Sequence, residues 1–154
     1  MNLDLTQRFE AISYNLETGI FSIGELLNFS KKTILYFYPK DDTPGCTIEN
    51  KDFSCLKNDF SKLGIVVIGV SKDLISSHKK FIENQGLKVD LISDPELVLH
   101  KYFGAYGEKN NYGRIITGVI RSTFLLDNEG NILKSWKKVK AKNHPEKILK
   151  ELSN

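Results

Sequence analysis

Two cysteines, one methionine, one tryptophan and three histidines are all that the 154 residues hold of those types. Two thiols cannot staple a secreted disulfide scaffold, and the spacing of Cys46 and Cys55 with scattered histidines matches no zinc pattern. Neither a metal nor a cofactor is therefore expected. No C-x-x-C occurs, which disfavours a thioredoxin-type disulfide oxidoreductase. No run approaches the roughly 18 uninterrupted apolar residues of a membrane span. Asp4, Arg8 and Glu10 also break the opening stretch before a secretory apolar region could form. The expectation is a cytoplasmic protein with no membrane partner. Lysine and arginine outnumber aspartate and glutamate by only 22 to 19, too small an excess for a dedicated nucleic-acid binder. Four prolines and eleven glycines are too few for a low-complexity or disordered chain.

Large apolar side chains, by contrast, are plentiful: nine Phe and six Tyr within a 40% hydrophobic composition. A chain of this length buries roughly two thirds of its unfolded surface, which predicts a single domain over 1–154, with no linker or repeat. The runs Thr33–Tyr38 and Ile65–Val70 are continuously apolar, as strands covered on both faces are. Between them Phe53, Leu56, Phe60 and Leu63 recur at helical spacing, with Gly64 as a C-terminal cap. A helix beginning at Ser71 or Asp73 and ending near Gln85, a short strand Val89–Ile92 and a short helix Pro95–Phe103 continue the alternation. Residues 104–118 read as a long surface loop. Strands Val119–Leu126 and Asn131–Lys138 flank the turn signal DNEG, and a helix over Asn143–Leu152 closes the chain. With an opening hairpin around Glu17, Thr18 and Gly19, the fold class is α/β, a central mixed sheet flanked by helices.

The chemistry concentrates in YPKDDTPGCTIE, at the carboxyl end of the first buried strand, where ligands dock in open α/β sheets. Thr43 then Pro44 reads as N-cap and first helical residue, which puts Cys46 in the first turn. Free N–H groups and the positive end of the helix dipole favour thiolate over thiol there, and Gly45 leaves room for a substrate. The neighbours Lys40, Asp41, Asp42, Glu49 and Lys51 sum to one negative charge, so a cation must come from elsewhere. Arg121, one of only three arginines, interrupts the apolar run VIRSTFLL. A charge there is costly without a partner, so it reaches Cys46 or forms an ordinary edge salt bridge. Glu49, one turn after Cys46, either orients Arg121 or simply favours the helix dipole.

Pro39, Thr43 and Cys46 stand as P-x-x-x-T-x-x-C, and with the downstream R-S-T-F and the strand ending GVSKD the chain resembles a peroxiredoxin of the bacterioferritin comigratory protein, or peroxiredoxin Q, group. The resemblance implies a thioredoxin-like fold in which Cys46 attacks peroxide and becomes a sulfenic acid. It also implies Thr43 and Arg121 in the peroxide pocket, with Pro39 shielding it and Pro44 and Gly45 alongside. Thioredoxin or another small thiol donor is the implied reductant. The group's usual resolving cysteine, five residues on, is Lys51 here. Cys55 is the remaining candidate, but nine helical residues separate it from Cys46 by about 13 Å, against the roughly 7 Å limit between Cα atoms that a disulfide sets. An external thiol is therefore the leading expectation. His78, His100 and His144 read as solvated helix or cap positions, and KSWKKVKAK as the solvated face of an edge strand. A monomer is favoured over an obligate oligomer, and the alternative function is a nonenzymatic thioredoxin-like binding or chaperone domain with an inert Cys46.

Overall fold

The computed structural model describes residues 3–154. In chain order it contains β1 (Arg8–Ile12), β2 (Thr18–Ser22), α1 (Ile23–Leu27), β3 (Lys32–Phe37), α2 (Pro44–Lys62), β4 (Ile65–Ser71) and α3 (Ile75–Gln85). There follow β5 (Asp90–Ser93), α4 (Val98–Tyr102), β6 (Tyr106–Asn111), β7 (Arg114–Val119), β8 (Ser122–Asp127), β9 (Ile132–Trp136) and α5 (His144–Leu152). Seven strands form one sheet in the order β2-β1-β5-β4-β3-β8-β9. β3, β4 and β5 run parallel, and the remaining pairings are antiparallel.

The unbroken apolar character of β3 follows from its central place in the sheet. Ile34 and Tyr36 pack on one face against Phe53 and Phe60 of α2, Phe81 of α3 and Ile148 of α5. Leu35 and Phe37 pack on the other against Ile23 and Leu27 of α1 and against Leu99 and Phe103. Period-two alternation thus feeds two cores from one strand, and each large side chain so buried contributes about 1.5–3 kcal/mol. The strand's carboxyl end is consequently held between two packed layers, and the start of α2 rests on one of them through Cys46.

Several local expectations change. Residues 104–118 are not a loop: β6 and β7 form a separate antiparallel hairpin whose turn residues Tyr112 and Gly113 both have positive φ, 55° and 81°. Such a turn matches the right-handed twist of its strands. The run beginning at Val119 is broken at Ile120 and Arg121, which lie between β7 and β8. α3 begins at Ile75, while Ser71 and Asp73 stay outside it, bonded to each other. All three histidines are buried. Among the described residues no helix is long and apolar enough to cross a membrane, and no group of three His, Cys, Asp or Glu could hold a metal ion.

Candidate active site

The loop between β3 and α2 is braced from beneath by a buried carboxylate. Tyr38 donates to Asp41 Oδ1 at 2.7 Å, and Ser77 donates to Oδ2 at 2.8 Å. His78 Nδ1 stands 2.7 Å from the same Oδ2, and the other ring nitrogen lies 3.0 Å from the carbonyl of Ile92. The Asp41 N–H donates to Asp73 Oδ2 at 2.9 Å. A carboxylate removed from water persists only when its lone pairs are satisfied, and here Tyr38, just past β3, and Ser77 and His78 of α3 converge on it. Burial, followed by the charge of Asp41, raises the Tyr38 hydroxyl well above the usual phenol range, so it remains a donor. Asp42 turns the chain with φ 58°, a conformation that aspartate tolerates better than most residues.

That turn delivers Thr43 as N-cap and Pro44 as the first residue of α2, and Thr47 N–H closes the first helical turn onto Thr43 O at 2.8 Å. The Thr43 side chain does not cap the helix. Its hydroxyl donates to Lys40 O at 2.7 Å, which leaves oxygen lone pairs free to accept. Cys46, in the first turn, is 1% exposed. The Asn50 amide donates to its carbonyl at 2.9 Å and accepts from Tyr36 Oη at 2.5 Å, tying the turn to β3.

The structure brings Arg121 to this sulfur across 75 residues of sequence: Nη2 donates to Cys46 Sγ at 3.4 Å, and Nη1 donates to Glu49 Oε1. Glu49 is fully buried, and its second oxygen has no hydrogen-bond partner among the described residues. Burial pushes the Glu49 carboxyl up to about 7 against the downward pull of Arg121. Burial works against the Arg121 charge, but Glu49 and then Cys46 outweigh it and raise its pKa. Gly45 lies against the guanidinium: a Cβ there would stand in ordinary contact, 3.4 Å from Nη2 and 3.7 Å from the Ala141 methyl. Pro44 is exposed, whereas Pro39 and Arg121 line a groove of about 760 Å³.

Cys55 is exposed, and α2 runs unbroken from Cys46 through it. His144 is buried beside the site, 2.8 Å from Thr123 Oγ1, and burial, aided by Arg121 and Lys147, lowers its pKa to about 4. The brace formed by Asp41, Asp73 and His78 is absent from the sequence reading, as is Asn50. The signal for Asp41 is its place as one of two adjacent acids in a short loop between buried segments, but apart from Tyr38 its partners Asp73, Ser77 and His78 lie more than thirty residues away.

The AhpC/TSA family matches residues 4–135. The chain is 47% identical over 131 residues to "Putative peroxiredoxin bcp" of Helicobacter pylori, covering 85% of each protein. It is 44% identical over 135 residues to "Peroxiredoxin Bcp" of Bacillus subtilis, covering 85% of this chain and 86% of that one. A cysteine-to-serine variant of Xylella fastidiosa PrxQ superposes with a TM-score of 0.84 at 32% identity, over 99% of this chain and 93% of that chain. The bacterioferritin comigratory protein of Xanthomonas campestris, solved for insight into its alkyl peroxide reduction activity, superposes with a TM-score of 0.80 at 35% identity, over 97% and 91% of the two chains.

Proposed function

The chain belongs to the AhpC/TSA family and is a peroxiredoxin, a thiol-dependent peroxidase of thioredoxin-like fold, and from that premise we propose that Cys46 is its peroxide-reacting sulfur. The observation that carries this assignment is the 3.4 Å contact from Arg121 Nη2 to Cys46 Sγ, a donor and a positive charge aimed at the one buried thiol. The reactive species is the thiolate, and a charge-assisted bond from a guanidinium stabilises it.

In the reaction the sulfur lone pair attacks one peroxide oxygen in line, an S–O bond forms and the O–O bond breaks. The departing oxygen leaves as hydroxide or alkoxide and takes up a proton, leaving a sulfenic acid on Cys46. Arg121 stabilises the developing negative charge, the contribution expected of a preorganised donor in a partly dry site. Thr43, whose own proton is directed to Lys40 O, accepts a hydrogen bond from the peroxide and fixes its approach. Pro39 shapes the entrance, Gly45 flanks the guanidinium, Pro44 starts the helix, and Glu49 holds the guanidinium in place. Hydrogen peroxide and alkyl hydroperoxides are the proposed substrates, the latter as in the Xanthomonas relative.

Recycling falls to an external thiol, thioredoxin or a small donor. This reading is supported by Cys55 lying nine residues along an intact helix, on exposed surface, while Cys46 is enclosed. Stopped-flow oxidation of the reduced protein by one equivalent of peroxide tests the assignment. A rapid single turnover in wild type and none in Cys46→Ser is expected, and equal rates would remove Cys46 from the chemistry. Nonreducing mass spectrometry of the product separates the recycling routes: a monomer crosslinked between Cys46 and Cys55 would contradict the external thiol.

A further inference from the structure

The basic segment KSWKKVKAK does not remain on an edge strand. β9 ends at Trp136, and the following residues are drawn across the site, where Val139 N–H donates to Arg121 O at 3.1 Å. Lys138 and Lys140 thereby line the same groove of about 760 Å³ as Pro39 and Arg121, and Lys109 of β6 joins them. No carboxylate lines this groove, and none of the three lysines forms an ion pair with Asp or Glu among the described residues. Lys109 Nζ donates to the carbonyl of Val119 at 2.8 Å, which positions its charge without neutralising it. Lys138 is held at φ 55°, a backbone conformation that lysine seldom adopts. Like charges gathered without a counterion around a hollow sized for a small molecule create a field that attracts an anion.

A hydroperoxide group is neutral and small and has no need of such a field. The second substrate of the cycle is larger and reaches Cys46 after the peroxide has reacted. Building on the assignment of Cys46 above, we propose that this groove receives the recycling thiol, and that this thiol is a low-molecular-weight molecule bearing one or more carboxylates. Its carboxylates sit among Lys109, Lys138 and Lys140 while its sulfur lies at the Arg121 end of the groove, where the guanidinium that lines it also contacts Cys46 Sγ. The bound thiol, as thiolate, attacks the sulfenic sulfur: an S–S bond forms, the S–O bond breaks, and the oxygen leaves as hydroxide and is protonated to water. A second molecule of the same thiol attacks its own kind in the mixed disulfide, releasing Cys46 as thiolate and the small disulfide as product. Two thiols are oxidised for each peroxide reduced.

The test uses the full chain, first oxidised by one equivalent of hydrogen peroxide and then mixed with mercaptosuccinate, 2-mercaptoethanol or cysteamine, which carry negative, no and positive charge beside the thiol. Each thiol is compared between wild type and the variant Lys109→Gln/Lys138→Asn/Lys140→Gln, so that intrinsic thiol reactivity cancels; asparagine is chosen at 138 because it accepts positive φ. Loss of the three charges is expected to slow mercaptosuccinate about ten-fold, leave 2-mercaptoethanol within about two-fold and not slow cysteamine, in line with the range of electrostatic rate effects. In wild type, raising salt is expected to slow mercaptosuccinate alone, which tests the idea even where the variant folds poorly. Equal responses of all three thiols overturn the proposal. So does a loss of rate in the oxidation step with tert-butyl hydroperoxide as large as that with mercaptosuccinate, because the groove would then serve peroxide entry. Failure of wild type to be oxidised at all would instead strike at Cys46, and the separately recorded first step tells the two failures apart.

Discussion

Replacing Glu49 with glutamine removes a buried titration while leaving an oxygen that can still accept from Arg121 Nη1. In the folded protein burial raises the Glu49 carboxyl from 4.5 to about 7. The native state therefore holds this proton more tightly than the unfolded chain does. The resulting stability is fully present below pH 4.5, is lost progressively as pH rises toward 7, and does not change further above it. A shift of this size corresponds to about 3 kcal/mol across the window at 1.36 kcal/mol per unit. With a urea slope of about 2 kcal/mol per molar, the midpoint would move by roughly 1.5 M. Urea titrations of wild type and Glu49→Gln at half-unit steps from pH 4.5 to 8 provide the measurement. Subtracting one curve from the other cancels His144, Asp90 and every other group common to both. The expected difference curve moves against wild type as pH rises and flattens above about pH 7. Parallel curves over the whole range would refute the reasoning, because they would mean that Glu49 is ionised in the fold as readily as in the unfolded chain.

Arg121→Met should lower the second-order rate of peroxide oxidation by about 10²–10³ with the fold retained, as the loss of a preorganised donor does, read by stopped flow and far-ultraviolet circular dichroism. Asp41→Ala strands Tyr38, Ser77 and His78 without their acceptor and should cost about 3–5 kcal/mol in chemical denaturation, against less than about 0.5 kcal/mol for Cys55→Ser on the surface. His144 titrates in the opposite sense to Glu49: its pKa is lowered from 6.5 to about 4, so its contribution is present above pH 6.5 and is lost as pH falls toward 4. His144→Gln should flatten that acid limb in thermal melts.

What could be read from the sequence was what local spacing encodes. Thr43, Pro44 and Cys46 are consecutive in one turn, so cap preference and proline geometry suffice to place the sulfur at the start of α2. Arg121 stood out because an apolar run does not tolerate an unpartnered charge, although the strand assigned to it is in fact interrupted at that residue. Thr43 was placed correctly and its hydroxyl was not, since a carbonyl three residues back competes with the helix N–H groups. The burial of His78 and His144 is not legible because their partners are distant, Asp41 across 37 residues and Thr123 across 21, whereas His100 meets Asp94 only six residues away and is buried by packing that local spacing does not encode. β6 and β7 escaped notice because Tyr106–Asn111 and Arg114–Val119 bury almost nothing, so no hydrophobic alternation marks them. The course of the lysine-rich segment after Trp136 depends on where a strand exits the sheet, which residue pattern does not specify.

The β6 and β7 hairpin stands apart from both cores, its ladder confined to its own two strands, with Tyr112 and Ile115 facing water. Its side chains are mostly exposed and it shares no ladder with the seven-stranded sheet, so it can open without that sheet melting. Its amides should exchange with deuterium well before those of β3 or β4, and limited proteolysis should nick first near Tyr112 and Gly113 while the rest of the molecule stays resistant. An appendage that can loosen by itself gives evolution a place to retune the mouth of the site without disturbing the scaffold that holds the sulfur.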